Sequence, residues 1–281
     1  MRNLRCAGKT LSFQHPRIMG VLNITPDSFF DGGKLLSGAK LDLGRVRELA
    51  HGMVDDGASV LDIGGESTRP GATPVSIREE LERVIPVLHA VADVDTIVSV
   101  DTRHVQVAKA AIDAGAHLVN DISAGADAGM FEVIADSDVG YALMHMQGLP
   151  QTMQRAPSYQ AVVVQISEFL QCRYQQCVAA GIDHERLMFD PGFGFGKTVE
   201  HNMQLLANLA QLRVLDRPLL VGLSRKSTLG AITGRAVQDR VHASVAAALI
   251  AVQHGADLLR VHDVAATQDA LKLYSAVKMA Q

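Results

Sequence analysis

The chain has 281 residues, 48% of them hydrophobic and 20% charged, and carries a net charge of −4 at pH 7. This composition excludes a disordered chain, and the acidic balance gives no reason to expect nucleic acid as a partner, so an anionic substrate would need a local basic pocket. The length suits one eight-stranded α/β barrel over residues 1–281, although two smaller domains would also fit.

In chain order, residues 1–16 hold several basic side chains but no apolar core of a secretory signal. They are expected to form a short hairpin that plugs one end of the fold. A continuous apolar run follows at Ile18–Asn23, then a helix-period segment at Leu41–Asp56. The same alternation repeats: runs at Val60–Gly64, Thr96–Asp101, His117–Ile122, Tyr141–Met146, Leu187–Asp190, Leu219–Ser224 and Leu258–His262, with helical segments after each. Those helical segments are Ile77–Ala92, Val105–Ala114, Ala128–Ser137, Tyr159–Ala180, Val199–Leu212, Asp239–His254 and Val264–Val277. Continuous rather than alternating apolar runs imply strands covered on both faces. Strand then helix, eight times, predicts a parallel TIM (β/α)8 barrel with a short N-terminal hairpin extension.

Gly57, Gly115, Gly181 and Gly255 fall where a helix stops before the next strand, and are expected to be left-handed caps. The functional content lies at the other end of each strand. The long segments 25–40 and 66–76, rich in Gly, Pro, Ser and Asp, would hang over the barrel mouth.

Four polar side chains end or follow apolar runs: Asp101, Asn120, Asp190 and Lys226. On four separate elements they do little for a core. A barrel would gather them at one mouth, where together they can hydrogen-bond a flat heterocycle with both donors and acceptors. Asp190–Lys197 (DPGFGFGK) is a weak dinucleotide fingerprint, and its glycines suit close approach of backbone to a ligand. Ser224 is expected to cap the next helix, with Lys226 in the first helical turn, a charge set against the dipole. Arg260 and His262 share one face of the last strand and, with Asn23, would form an anion site. Arg260 could also stack on a planar ring. Met144 has the parity of a soft pocket wall. His145 reads either as a catalytic group or as a core histidine. Asp62 and Glu66 read either as general bases or as loop organisers. No nucleophile–base pair suggests covalent catalysis.

Cys6, Cys172 and Cys177 show no repeated C-x-x-C, so neither a disulfide framework nor a zinc site is expected. The longest apolar helical stretch, Val245–Val252, is too short to span a membrane. A cytoplasmic protein is expected.

The segments NITPDSFFDGG (23–33), GGESTRPG (64–71), SVDT (99–102), NDI (120–122), LMHMQG (143–148), DPGFGFGK, SRKS and RVHDV together resemble bacterial dihydropteroate synthases over nearly the whole chain. The resemblance implies condensation of 6-hydroxymethyl-7,8-dihydropterin pyrophosphate with p-aminobenzoate, giving 7,8-dihydropteroate and pyrophosphate in folate biosynthesis. It implies pterin contacts from Asp101, Asn120, Asp190, Lys226 and Arg260, walled by Ile122 and Met144. It implies a pyrophosphate site at Asn23, Arg260 and His262, with Mg2+ at Asn23. It implies a p-aminobenzoate pocket of Phe29, Thr68, Arg69, Pro70, Phe195, Lys226 and Ser227. A homodimer and sulfonamide sensitivity are implied as well. Two other functions share such a barrel: a pterin-dependent methyltransferase and a non-catalytic pterin-binding paralogue. The joint presence of TPDSF, STRPG and SRKS favours the synthase.

Overall fold

The computed structural model describes residues 2–25, 36–37, 40–68, 71–214 and 216–280. The chain opens with a hairpin, β1 (Asn3–Cys6) paired antiparallel to β2 (Lys9–Ser12). Strand β3 (Arg17–Asn23) follows, then a two-residue antiparallel pair, β4 (Leu36–Ser37) and β5 (Lys40–Leu41). The alternation then proceeds through α1 (Leu43–Asp55), β6 (Val60–Gly64), α2 (Ile77–Ala90), β7 (Ile97–Asp101), α3 (Val105–Asp113) and β8 (Leu118–Asp121). It continues with α4 (Met130–Ala135), β9 (Gly140–Met144), α5 (Val162–Ala179), β10 (Leu187–Asp190) and α6 (Val199–Ala207). Last come β11 (Leu220–Val221), α7 (Ser227–Thr233), α8 (Val241–Gln253), β12 (Leu258–Val261) and α9 (Val264–Met279).

Eight strands form one parallel sheet in the order β10-β9-β8-β7-β6-β3-β12-β11. A parallel bridge from Phe189 to Leu219 joins its two ends, so the sheet closes into a barrel. Local chemistry sets the helix ends. Asp42 caps α1, and Ser76 with Glu79 forms a capping box on α2. Gly57, Gly115, Gly181 and Gly255 stand at φ of +107°, +94°, +91° and +105°, where the expected helix stops fall.

Strand parity divides the core in two. One cluster joins Leu4, Cys6, Leu11 and Phe13 of the hairpin segment to one side chain from each barrel strand: Met19, Val60, Ile97, Leu118, Ala142, Met188, Leu220 and Leu258. These lie toward the start of their strands, so the hairpin does plug the end expected from the sequence. The other cluster holds the intervening strand residues, such as Ile18, Leu61, Val98 and Val119, packed against the helices. Side chains two positions beyond the plug face the interior again. There the interior turns polar: Asp62, Ser99, Asn120, Asp190 and Arg260 take those positions, with Met144 beside them. An apolar floor under a polar ring is the feature that positions the site.

Candidate active site

The ring is wired around one arginine. Arg260 donates from Nε to Asp62 Oδ2 at 2.6 Å and from a terminal nitrogen to Asp101 Oδ2 at 2.7 Å. Asn120 Nδ2 donates to the same Asp62 oxygen at 3.1 Å, while Asp62 Oδ1 is buried with no hydrogen-bond partner among the described residues. Burial works against the charge on Arg260, but Asp62 and Asp101 outweigh it and hold the guanidinium protonated. Burial likewise works to raise the Asp101 carboxyl, against the pull of Arg260. Two carboxylates, an amide and a fixed cation therefore meet at the barrel centre.

On the opposite wall, burial lowers the Lys226 ammonium to about 8, with Asp190 opposing. Burial raises the Asp190 carboxyl, with Lys226 opposing, and Asp190 Oδ1 accepts from Gly192 N at 2.7 Å. Lys226 Nζ donates to Phe193 O at 2.5 Å and stands 4.6 Å from the centroid of the Phe195 ring.

Above the ring opens a cleft of about 330 Å³. Of the residues expected from sequence, Asn23, Thr68, Asp101, Phe195, Lys226, Ser227, Arg260 and His262 line it. Asn120, Asp190, Ile122 and Met144 are buried on inward positions below or beside it. Asp27, Ser28, Phe29, Arg69 and Pro70 lie outside the described residues.

Two expectations need correction. Ser224 does not cap a helix: α7 begins at Ser227, and Lys226 is its N-cap residue, its side chain making no capping bond. Ser224 sits on an inward position, where its hydroxyl accepts from His262 N at 3.2 Å and lies 3.0 Å from His262 Nδ1. Its oxygen serves the anion wall rather than a helix. Lys226 consequently precedes the first helical turn, and its aim into the cleft comes from Asp190 and Phe193 O rather than from opposing a dipole.

The ambiguous residues also separate. Glu66 is held in a fork by Arg103, at 2.9 and 3.1 Å, so it organises the loop that begins there. Asp62 belongs to the ring. His145 is buried, its ring 4.8 Å from Phe169 in an edge contact, and burial with Lys197 nearby lowers it to about 3. It is a neutral core histidine. Lys197, Arg103 and the partnership of Asp62 with Arg260 carry no signal in the sequence pattern. Asp62 stands inside an apolar run, and its inward parity becomes visible once the register is known.

Residues 19–262 match the family model described as pterin binding enzyme. Dihydropteroate synthase of Escherichia coli K12 is 43% identical over 275 residues, 98% of this chain and 96% of that protein. The Haemophilus influenzae enzyme of the same name is 47% identical over 269 residues, 95% of this chain and 96% of that protein. Among solved structures, Yersinia pestis dihydropteroate synthase in a sulfonamide drug complex superposes with a TM-score of 0.93 at 45% identity, covering 99% of both chains. The Burkholderia cenocepacia enzyme complexed with 7,8-dihydropteroate superposes with a TM-score of 0.88 at 45% identity, covering 99% of this chain and 97% of that one. The closed barrel, its polar ring and the family match define a pterin-binding enzyme. Within that class the chain belongs to the dihydropteroate synthase family.

Proposed function

We propose that the protein condenses 6-hydroxymethyl-7,8-dihydropterin pyrophosphate with p-aminobenzoate, releasing pyrophosphate and 7,8-dihydropteroate, a step of folate biosynthesis. The observation that carries this reading is the inward ring of Asp62, Asp101, Asn120, Asp190 and Arg260 beneath a cleft edged by Lys226 and Phe195. The ring offers the mixed donors and acceptors that a pterin edge needs. The relatives add weight: one solved family member holds 4-aminobenzoic acid and another holds 7,8-dihydropteroate.

The pterin seats in the ring, with Asp62 Oδ1 as an open acceptor, Ile122 and Met144 as apolar walls, and Arg260 against its face. Asn23, Arg260 and His262 receive the pyrophosphate at the mouth. The carbon–oxygen bond to pyrophosphate breaks first, and both electrons leave on the phosphate oxygen. The electron-rich dihydropterin carries the resulting positive charge, which Asp62, Asp101 and Asp190 stabilise electrostatically. The lone pair of the aryl amine then forms the new carbon–nitrogen bond, and a proton is released. The amine is a weak base whose lone pair attacks directly, so it needs no strong base. Phe195, Lys226, Ser227 and Thr68 frame the aryl pocket, and Phe29, Arg69 and Pro70 complete it on this reading. Closure over the pocket excludes water from the cation.

Mg2+ fits Asn23. Its amide oxygen is a hard donor at the cleft, and Gly64 keeps the space before it open, since a Cβ there would lie 3.2 Å from Asn23 Oδ1. A cation that retains waters and takes phosphate oxygens needs few protein ligands. When bound, it would neutralise the leaving pyrophosphate.

A homodimer through α8 and α9 forms part of the proposal. Ile250, Leu273 and Val277 are exposed on these helices at 42%, 68% and 54%. A cytoplasmic location is proposed as well; all three cysteines are unpaired, which suits a reducing compartment. No helix among the described residues is long and apolar enough to cross a membrane.

The deciding assay is pyrophosphate release by the purified protein with both substrates and Mg2+. Release that requires all three supports the proposal. No release with all three present rejects it, and methyl transfer from a methylated folate would then favour the methyltransferase.

A further inference from the structure

The loop after β10 carries Phe195 into the cleft, yet its own anchor lies out of sight of any ligand. Lys197 is only 3% exposed. Its Nζ donates to Gly192 O and Phe195 O, both at 2.9 Å, and to His145 O at 3.3 Å, and lies 3.0 Å from His145 Nδ1. These four neighbours are acceptors when His145 carries its proton on Nε2, and an ammonium has three protons to offer them. We propose that Lys197 is a positioning residue for the aryl-amine pocket: its buried ammonium clasps the backbone that carries Phe195 to the end of β9, and so sets affinity for the second substrate. The inference rests on the synthase reading above and adds to it a residue that contacts neither substrate.

Three observations support the clasp. First, burial is expensive for an unpaired ammonium, and it pulls Lys197 down to about 7 with Asp190 opposing. An apolar side chain would fill the space without that penalty, so the nitrogen's use is to donate to the carbonyls around it. Second, the loop is held at every carbonyl from Gly192 to Gly196. Lys197 takes Gly192 O and Phe195 O, Lys226 takes Phe193 O, Gln154 takes Gly194 O, and Tyr159 takes Gly196 O at 2.9 Å. Third, the loop can lie this close to the strand end only as glycine. Gly192 stands at φ +69°, and a Cβ there would fall 1.9 Å from His145 O. The clasp therefore closes on a contact that the sequence has already cleared.

The position of the Phe195 ring follows from this frame. Phe195 is two residues from Lys197, and its carbonyl is one of the clasped groups. Of the pterin ring only Asp190 touches this loop, through Gly192 N, whereas Asp62, Asp101, Asn120 and Arg260 come from other strands, so pterin contacts depend on the clasp less. Loss of the clasp should separate the two substrates, whereas a general loss of structure would not.

The test is Lys197→Met, which keeps the length of the stem and removes the donors. Wild-type turnover is measured first; its absence rejects the synthase reading, and this inference with it. Given wild-type turnover, the KM for p-aminobenzoate should rise about tenfold through misplacement of the ring. The KM for the pterin pyrophosphate and the calorimetric affinity for a pterin analogue should change less than about twofold, as expected for a separate set of contacts. An unchanged KM for p-aminobenzoate overturns the inference while leaving the synthase reading intact. An equal loss for both substrates overturns it too, since Lys197 would then support the barrel at large. If Lys197→Met does not fold, Tyr159→Phe and Gln154→Ala decide: each releases one carbonyl of the same loop, and each should raise the KM for p-aminobenzoate roughly threefold with pterin affinity kept. No change in either variant refutes the clasp.

Discussion

Asp62 gives the sharpest test of the polar ring, because one of its oxygens receives two donors and the other none. Oδ2 accepts from Arg260 Nε at 2.6 Å and from Asn120 Nδ2 at 3.1 Å, while Oδ1 is buried and unpartnered. Asp62→Asn can place its amide oxygen at the Oδ2 position and keep both bonds, with its NH2 in the vacant position. It then loses the charge opposite Arg260 and, like Asp62→Ala, the Oδ1 acceptor open to the pterin, a loss common to both variants that cancels between them. The difference between a charged and a neutral hydrogen bond is about 1 kcal/mol, which is roughly fivefold in an equilibrium constant. Asp62→Ala removes both bonds. Asn120 keeps a buried unpaired donor, while Arg260 retains Asp101 at 2.7 Å. One orphaned donor plus one lost charged bond amount to about 3 kcal/mol, or roughly 150-fold. The measurement is kcat/KM for the pterin pyrophosphate at saturating p-aminobenzoate, with a thermal melt to confirm that each variant folds. The expected order is wild type, then Asn, then Ala, with Asn and Ala about 2 kcal/mol, or roughly 30-fold, apart. If Ala performs as well as Asn, Arg260 does not depend on Asp62 and the proposed wiring is wrong.

Asp101→Asn and Asp190→Asn should each weaken binding of a pterin analogue by about 1.5–3 kcal/mol; wild-type affinity by calorimetry would remove that residue from the pterin site. Glu80 is fully buried, with His104 Nε2 4.0 Å from its carboxylate, and is raised to about 7, chiefly by burial and against a hydrogen bond with Thr102. Its folded value lies above the unfolded one, so its stabilising contribution is complete below about pH 4.5 and is lost as pH rises through 7. Glu80→Gln should therefore raise the melting temperature by a few degrees at pH 8 and have little effect at pH 4.5, roughly 2–4 °C per kcal/mol; equal shifts at both pH values would contradict the assignment. A sulfonamide should compete with p-aminobenzoate and, because its aniline nitrogen is retained, should also be converted to a pterin adduct. Mass spectrometry showing no adduct after long incubation with Mg2+ would place the amine elsewhere.

Most of the frame could be read from the chain because parallel strands covered on both faces leave continuous apolar runs, and polar residues at their ends stand out. Asp101, Asn120, Asp190 and Arg260 were visible in this way. Asp62 was harder: it lies within its run, and an aspartate there reads equally as base or loop organiser until Arg260, 198 positions later, is brought against it. Ser224 was misread because a serine before a helix usually caps it, whereas here inward parity gave its hydroxyl to His262. His145 could not be resolved without Lys197, whose role depends on a loop folding back onto the strand end. Such returns leave no period in the sequence.

The hairpin plug makes the barrel a cul-de-sac. Leu4, Cys6, Leu11 and Phe13 seal the floor together with a side chain from every strand, so traffic passes through the mouth alone. On the proposed assignment the pterin sits in the polar ring, below an aryl pocket framed by Phe195 and Lys226 nearer the opening. An aryl amine already in place would bar the way down, so the deeper guest must arrive first. Once the two are joined, the part that entered first is the last to clear the rim. Sequential kinetics are the outcome that proposed assignment predicts for a vessel with one opening, before any loop is asked to move.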